Sequence, residues 1–150
     1  MKYFLLTFFS FALLFAACKK YDDGPAFSLE SKKKRVSNVW VIQKVYETPQ
    51  GGTKTDKTAD YWSYYYGYIM SLEKDGGYTI TYNPMNVSTY NESGIWSFND
   101  KKTIISFASA NGNPSAIGTH WTILRLKEKE LWMQTINSNN VTIEAHFSPF

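Results

Sequence analysis

Trp62, Tyr64, Tyr66 and Tyr68, aromatic side chains at alternate positions, form the densest set of residues in this chain that could hold a ligand. Their rings offer flat apolar faces and the tyrosines add hydroxyls, a combination suited to a flat apolar molecule or a sugar ring. Trp96 and Trp121 are candidates for the same interior. Catalytic sets are missing. His120 and His146 belong to no cluster with metal-ligand spacing, and each is expected as a solvated residue on a strand. There is no Gly-x-Ser-x-Gly elbow and no phosphate-cradling Gly-rich loop. Glu128 and Glu130 alternate with Lys127 and Lys129, as in a solvated turn rather than a catalytic pair. The expectation is a protein that is not an enzyme and carries no metal or cofactor.

The elements that must position these rings read as strands. Trp62, Tyr64, Tyr66, Tyr68, Met70 and Leu72 share one parity, which predicts a half-buried strand over 61–72. Asp75-Gly76 is a hairpin signal, and Tyr78, Ile80 and Tyr82 return on one face. Further strands are expected over 36–46, 94–98, 103–107, 120–126, 130–136 and 141–147, with longer loops at 47–60, 83–93 and 108–119. No segment after residue 35 has a convincing helical period. Eight sequential antiparallel strands with one apolar face predict an all-β, up-and-down eight-stranded barrel over 36–150, which removes its own edges by closing. A two-sheet β-sandwich is the alternative.

The chain begins differently. Lys2 precedes an apolar run from Tyr3 to Phe15, followed by Ala16-Ala17-Cys18. A charged start, an apolar stretch and small residues predict a secretory signal over 1–17. The run is shorter than the ~20 residues a spanning helix needs. Cys18 is the only cysteine, and its placement resembles the lipobox of bacterial lipoproteins, with Phe15 where Leu is usual. The resemblance implies cleavage before Cys18, palmitate-type acyl chains on its thiol and acylation of the new amino terminus. The protein would then be a lipoprotein of the cell envelope, held on a membrane, the outer membrane by expectation. Which side it faces is left open. Residues 18–35 read as a polar, basic tether, with one or two helical turns capped by Ser28 and weakened by Ser31. Seven of the sixteen Lys and Arg precede Val36, leaving nine basic against ten acidic residues in the barrel. That balance gives no electrostatic footprint for nucleic acid.

Several short motifs together resemble the lipocalin-like lipoproteins common in Bacteroidota: Val39-Trp40-Val41-Ile42, Leu72-Glu73-Lys74-Asp75-Gly76-Gly77-Tyr78, Gly94-Ile95-Trp96-Ser97-Phe98, Trp121 to Leu126, and Leu131-Trp132. Asn38 stands where that family usually has Gly, and Asn also reaches left-handed backbone angles. The resemblance implies a small barrel able to hold a ligand, in a family whose members mostly have no assigned activity. The functional expectation is a membrane-anchored module that binds a small hydrophobic or glycan-like ligand through Trp62, Tyr64, Tyr66, Tyr68, Trp96 and Trp121. The alternative is an interaction module with a solid core that grips a protein partner through its long loops. A Cys18→Ala variant should lose acyl label and leave the membrane fraction, because each buried acyl methylene contributes about 0.8 kcal/mol; undiminished acyl label and membrane partition would overturn the lipidation reading.

Overall fold

The computed structural model describes residues 30–112 and 118–150. The signal expected over 1–17, the expected lipidation at Cys18 and the tether expected up to residue 29 lie outside the described residues. Nine strands follow a short helix: α1 (Lys32–Val36), β1 (Val39–Thr48), β2 (Thr55–Asp56), a second helix α2 (Thr58–Tyr64), β3 (Tyr65–Leu72), β4 (Gly77–Pro84), β5 (Tyr90–Phe98), β6 (Ile104–Ser109), β7 (His120–Leu126), β8 (Leu131–Ile136) and β9 (Thr142–Pro149). All pairings are antiparallel, and β3 to β9 pair in chain order. β1 pairs with β3 on one side and with β9 on the other, from Trp40↔Pro149 to Thr48↔Thr142. That second ladder closes eight strands into a barrel, and β2 is a two-residue addition outside it. The sandwich alternative is thereby set aside.

Inward side chains fill the barrel: Trp40, Met70, Ile80, Ile105, Leu126, Leu131 and Met133 are all fully buried. α1 plugs one end. Ser31 caps it, its side chain accepting a hydrogen bond from the Lys34 backbone N–H at 3.1 Å, while the cap expected at Ser28 lies outside the described residues. Basic residues in its last turn complement the helix dipole. Val36, expected as the start of a strand, is instead the buried last residue of this helix. Its carbonyl accepts from the Trp40 indole at 2.8 Å, while Arg35 Nη1 donates to the Leu126 carbonyl at 2.6 Å. The tight turns after β3, β5 and β7 lie at this end. The longer connections open at the other end, which α2 overhangs.

Three bulges interrupt the alternation: between Ile42 and Lys44 on β1, Tyr66 and Ile69 on β3, and Ile123 and Arg125 on β7. An extra residue reverses the in-out parity of everything beyond it. The inward series therefore steps by three from Ile42 to Val45, Tyr65 to Tyr68 and Ile123 to Leu126. On β3 the bulge sits on Gly67, whose φ of +68° suits glycine. The strand predicted over 61–72 is corrected on two counts. Its first residues form α2, and its aromatic parity is broken at Gly67. The loop expected over 83–93 also shrinks, because β5 begins at Tyr90.

Gly94 has a different constraint. A Cβ there would lie 2.1 Å from the Ala108 carbonyl oxygen and 2.8 Å from a Tyr78 ring carbon. Gly94→Ala should therefore destabilise the barrel by about 3 kcal/mol, at the upper end of overpacking costs. Gly67→Ala meets open space and should cost only the ~1–2 kcal/mol of a left-handed residue, with Gly67→Asn costing less. Denaturant unfolding of the three variants checks the order; equal losses at Gly94 and Gly67 would refute it.

Candidate functional site

The open end of the barrel holds a cavity of about 100 Å³ lined by Ile42, Val45, Tyr61, Tyr65, Tyr68, Trp121, Ile143, Ala145 and Phe147. Each wall has a local cause. The β1 bulge turns both Ile42 and Val45 inward, and the β3 bulge does the same for Tyr65 and Tyr68. α2 brings Tyr61 over the opening, where its hydroxyl donates to Glu47 Oε1 at 3.0 Å. The helix is fastened at its start by Thr58. That buried hydroxyl accepts from the Val45 N–H at 3.0 Å and donates to the Val45 carbonyl at 3.5 Å, beside the Lys57 N–H to Val45 carbonyl bond at 2.9 Å.

A chain of phenol rings runs across the mouth. Tyr61 stacks on Tyr65 at 5.7 Å between ring centres, Tyr65 meets Tyr82 at 5.0 Å, and Tyr82 meets Tyr90 at 4.8 Å. Deeper in, Tyr68 packs against Phe147 at 6.3 Å. Glu92 points inward and is buried; Tyr78 donates to its Oε1 at 2.6 Å and Tyr90 to its Oε2 at 3.2 Å. The carboxylate thus orients two phenols, and its charge reaches two more, Tyr68 and Tyr82. Burial first, then Glu92, hold the Tyr68 phenol well above its ordinary pKa. Burial and then Tyr65 push Tyr82 up to about 12. Burial and then Tyr64 raise Tyr65.

The six aromatic candidates separate. Tyr68 and Trp121 line the cavity. Trp96 is interior but lies toward the α1 end, its indole donating to the Glu73 carbonyl at 3.0 Å. Trp62, Tyr64 and Tyr66 do not face the interior as expected; they are 53%, 45% and 56% exposed. Trp62 and Tyr64 ride on α2, and Tyr66 is turned outward by the bulge at Gly67. Trp62 and Tyr66 instead line a groove of about 310 Å³ outside the barrel, with Val41, Ile69 and Phe150. Sequence reading missed Tyr61, Tyr65, Tyr82, Tyr90 and Glu92. Gly67, isolated within a strand pattern, was the available signal for the bulge that brings Tyr65 in.

The histidines differ from each other. His120 is exposed and pairs with the Ser106 hydroxyl at 2.9 Å. His146 is half-buried rather than solvated. It stacks on Trp132 at 4.0 Å between ring centres and contacts Glu144 Oε1 at 2.6 Å, while Lys54 bridges Glu144 at 2.7 Å. This outer-wall stack explains its burial. Among the described residues no group of three or more His, Cys, Asp or Glu is placed to hold a metal ion.

No protein-family model and no curated protein matches the chain. Solved structures do resemble it. A lipocalin-like protein from Bacteroides uniformis superimposes with a TM-score of 0.50 at 12% identity, over 77% of this chain and 99% of that one. An uncharacterized protein from Bacteroides eggerthii gives a TM-score of 0.48 at 12% identity, over 75% and 98%. At this identity the likeness to the first is one of fold: a closed eight-stranded barrel of lipocalin-like form.

The phenol shifts carry a pH dependence. Tyrosines of the unfolded chain ionise near pH 10, whereas Tyr68, Tyr65 and Tyr82 resist ionisation when folded. Their contribution to stability is complete below about pH 10 and is lost as pH rises toward the folded values. Stability should fall on the alkaline side, less steeply in Tyr68→Phe, as read by denaturant unfolding at a series of pH values. An equally steep fall in the variant would contradict this assignment.

Proposed function

We propose that this protein is a lipid-anchored, non-enzymatic binding module of the cell envelope that takes the uncharged, hydrophobic part of a small molecule into the open end of its barrel. The observation that carries the reading is the cavity among Tyr65, Tyr68, Trp121 and Phe147, whose lining contains no Asp, Glu, Lys, Arg or His. A charged guest there would lose hydration without gaining a partner. An apolar guest gains about 25 cal/mol for each Å² removed from water and meets ring faces on several sides. The apolar lining favours a hydrophobic ligand over a sugar, which needs paired polar groups. Anchoring rests on the Cys18 reading, with the acyl chains holding the barrel at the membrane, the outer membrane by the same expectation.

A second reading is supported by the exposed rings Trp62, Tyr64 and Tyr66 beside the long loops. Aromatic patches of this kind are common at protein interfaces, so the domain would then be a subunit or inhibitor that docks through them. Native mass spectrometry of the protein extracted from its own cells separates the two. The ligand reading expects a bound mass beyond the acyl chains, from a molecule that places only part of itself in the cavity, and its loss in an Ala145→Leu variant that narrows the cavity. A copurifying protein in place of that mass would move the account to the second reading.

A further inference from the structure

The inner cavity and the outer groove meet at the same place in the barrel wall. Ile42, Tyr65 and Tyr68 line both. They sit at a seam. β1 and β3 pair through only three positions, Val39↔Ser71, Trp40↔Met70 and Val41↔Ile69. The ladder stops where both strands carry their bulges, between Ile42 and Lys44 on β1 and between Tyr66 and Ile69 on β3. Between Ile42 and Val45 on one side and Tyr65 and Tyr68 on the other there is no strand pairing. The gap is filled by side chains and by α2. A guest passing through the wall here would part side chains without breaking a ladder.

We propose that the ligand is an unbranched hydrocarbon chain that threads this seam, with its methyl end in the inner cavity and its length along the outer groove. The proposal rests on the binding function above and deepens it. Three observations select a chain. The inner compartment, at about 100 Å³, holds only a few methylene groups, and the outer one adds about 310 Å³; together they reach the size of ordinary ligand sites, roughly 300–1,000 Å³. Neither compartment is lined by Asp, Glu, Lys, Arg or His. A peptide adding as a strand is disfavoured, because Val45 has both backbone groups taken by Thr58 and Lys57, and Tyr46 and Glu47 pair with β2. What is left is packing without hydrogen bonding, which suits methylenes. Trp62 and Tyr66, half-exposed on the outside, cover the length of the chain that the barrel cannot hold.

The test uses the full chain in phosphatidylcholine vesicles and two palmitic acid analogues, one with a diazirine near the methyl end and one with it near the carboxyl. After irradiation, labelled peptides are mapped by mass spectrometry. The methyl-end probe should label Ile143, Ala145 or Phe147, and the carboxyl-side probe Trp62, Tyr66 or Ile69. A Trp62→Ser, Tyr66→Ser double variant alters exposed positions only, and should weaken labelling by both probes about tenfold, equivalent to 1.4 kcal/mol. If both probes label only the inner cavity and the double variant is unaffected, the threading proposal fails while the binding function stands. If neither probe labels either compartment, and Ala145→Leu changes nothing, both fail.

Discussion

The architecture depends on how β1 divides its two edges. One edge gives itself to β9 along nearly the whole strand and closes the barrel; the other gives only three positions to β3. A closed sheet has no unpaired edge to shield. Here the closure is complete at the α1 end and incomplete toward the mouth, where both strands carry bulges. The unpaired length of β1 is satisfied by nearby chain: β2 pairs with Tyr46 and Glu47, and Thr58 and Lys57 bond Val45. α2 is therefore more than a loop insertion. It supplies the wall that β3 does not.

The interior shows how polar groups are tolerated in such a small barrel. Glu92 is buried among rings, a placement that would be costly for an unpaired carboxylate. Two phenols donate to it, and the same contacts fix where those rings lie. Tyrosine is suited to this work, since it fills space as phenylalanine does and ends in a donor. The pocket lining itself is left apolar, apart from hydroxyls.

Much of the fold was legible in the sequence. The alternation of Tyr78, Ile80 and Tyr82, the Asp75-Gly76 turn and the spacing of later hairpins led to eight strands and to closure. The site was only half legible, and for one physical reason. Period-two reading assumes that every residue advances the pleat equally, and a bulge breaks that assumption without changing composition. The run from Tyr61 to Leu72 keeps its arithmetic parity through Gly67 while its real parity reverses, so counting by twos puts Tyr66 inward and Tyr65 outward. The helix over Thr58–Tyr64 was hidden similarly, since a short aromatic helix held by a tertiary bond at Thr58 carries little propensity of its own. Tyr68 shares the buried face of Met70 and Leu72 because no interruption separates the three, whereas the sequence leaves the face of Trp121 open.

The β1–β9 ladder joins the first strand of the barrel to the last. Closure therefore waits for the most distant pairing in the sequence, whose loop entropy is the largest in the fold. Until β9 arrives, β1 and β8 are both open edges, each able to recruit a strand from another chain. A polypeptide lacking its final strand could fold most of its hairpins and still never seal. Completeness of the chain is thus written into the topology: only a full-length product can hide its edges, and a truncated one advertises itself to whatever protease or chaperone reads exposed β-structure.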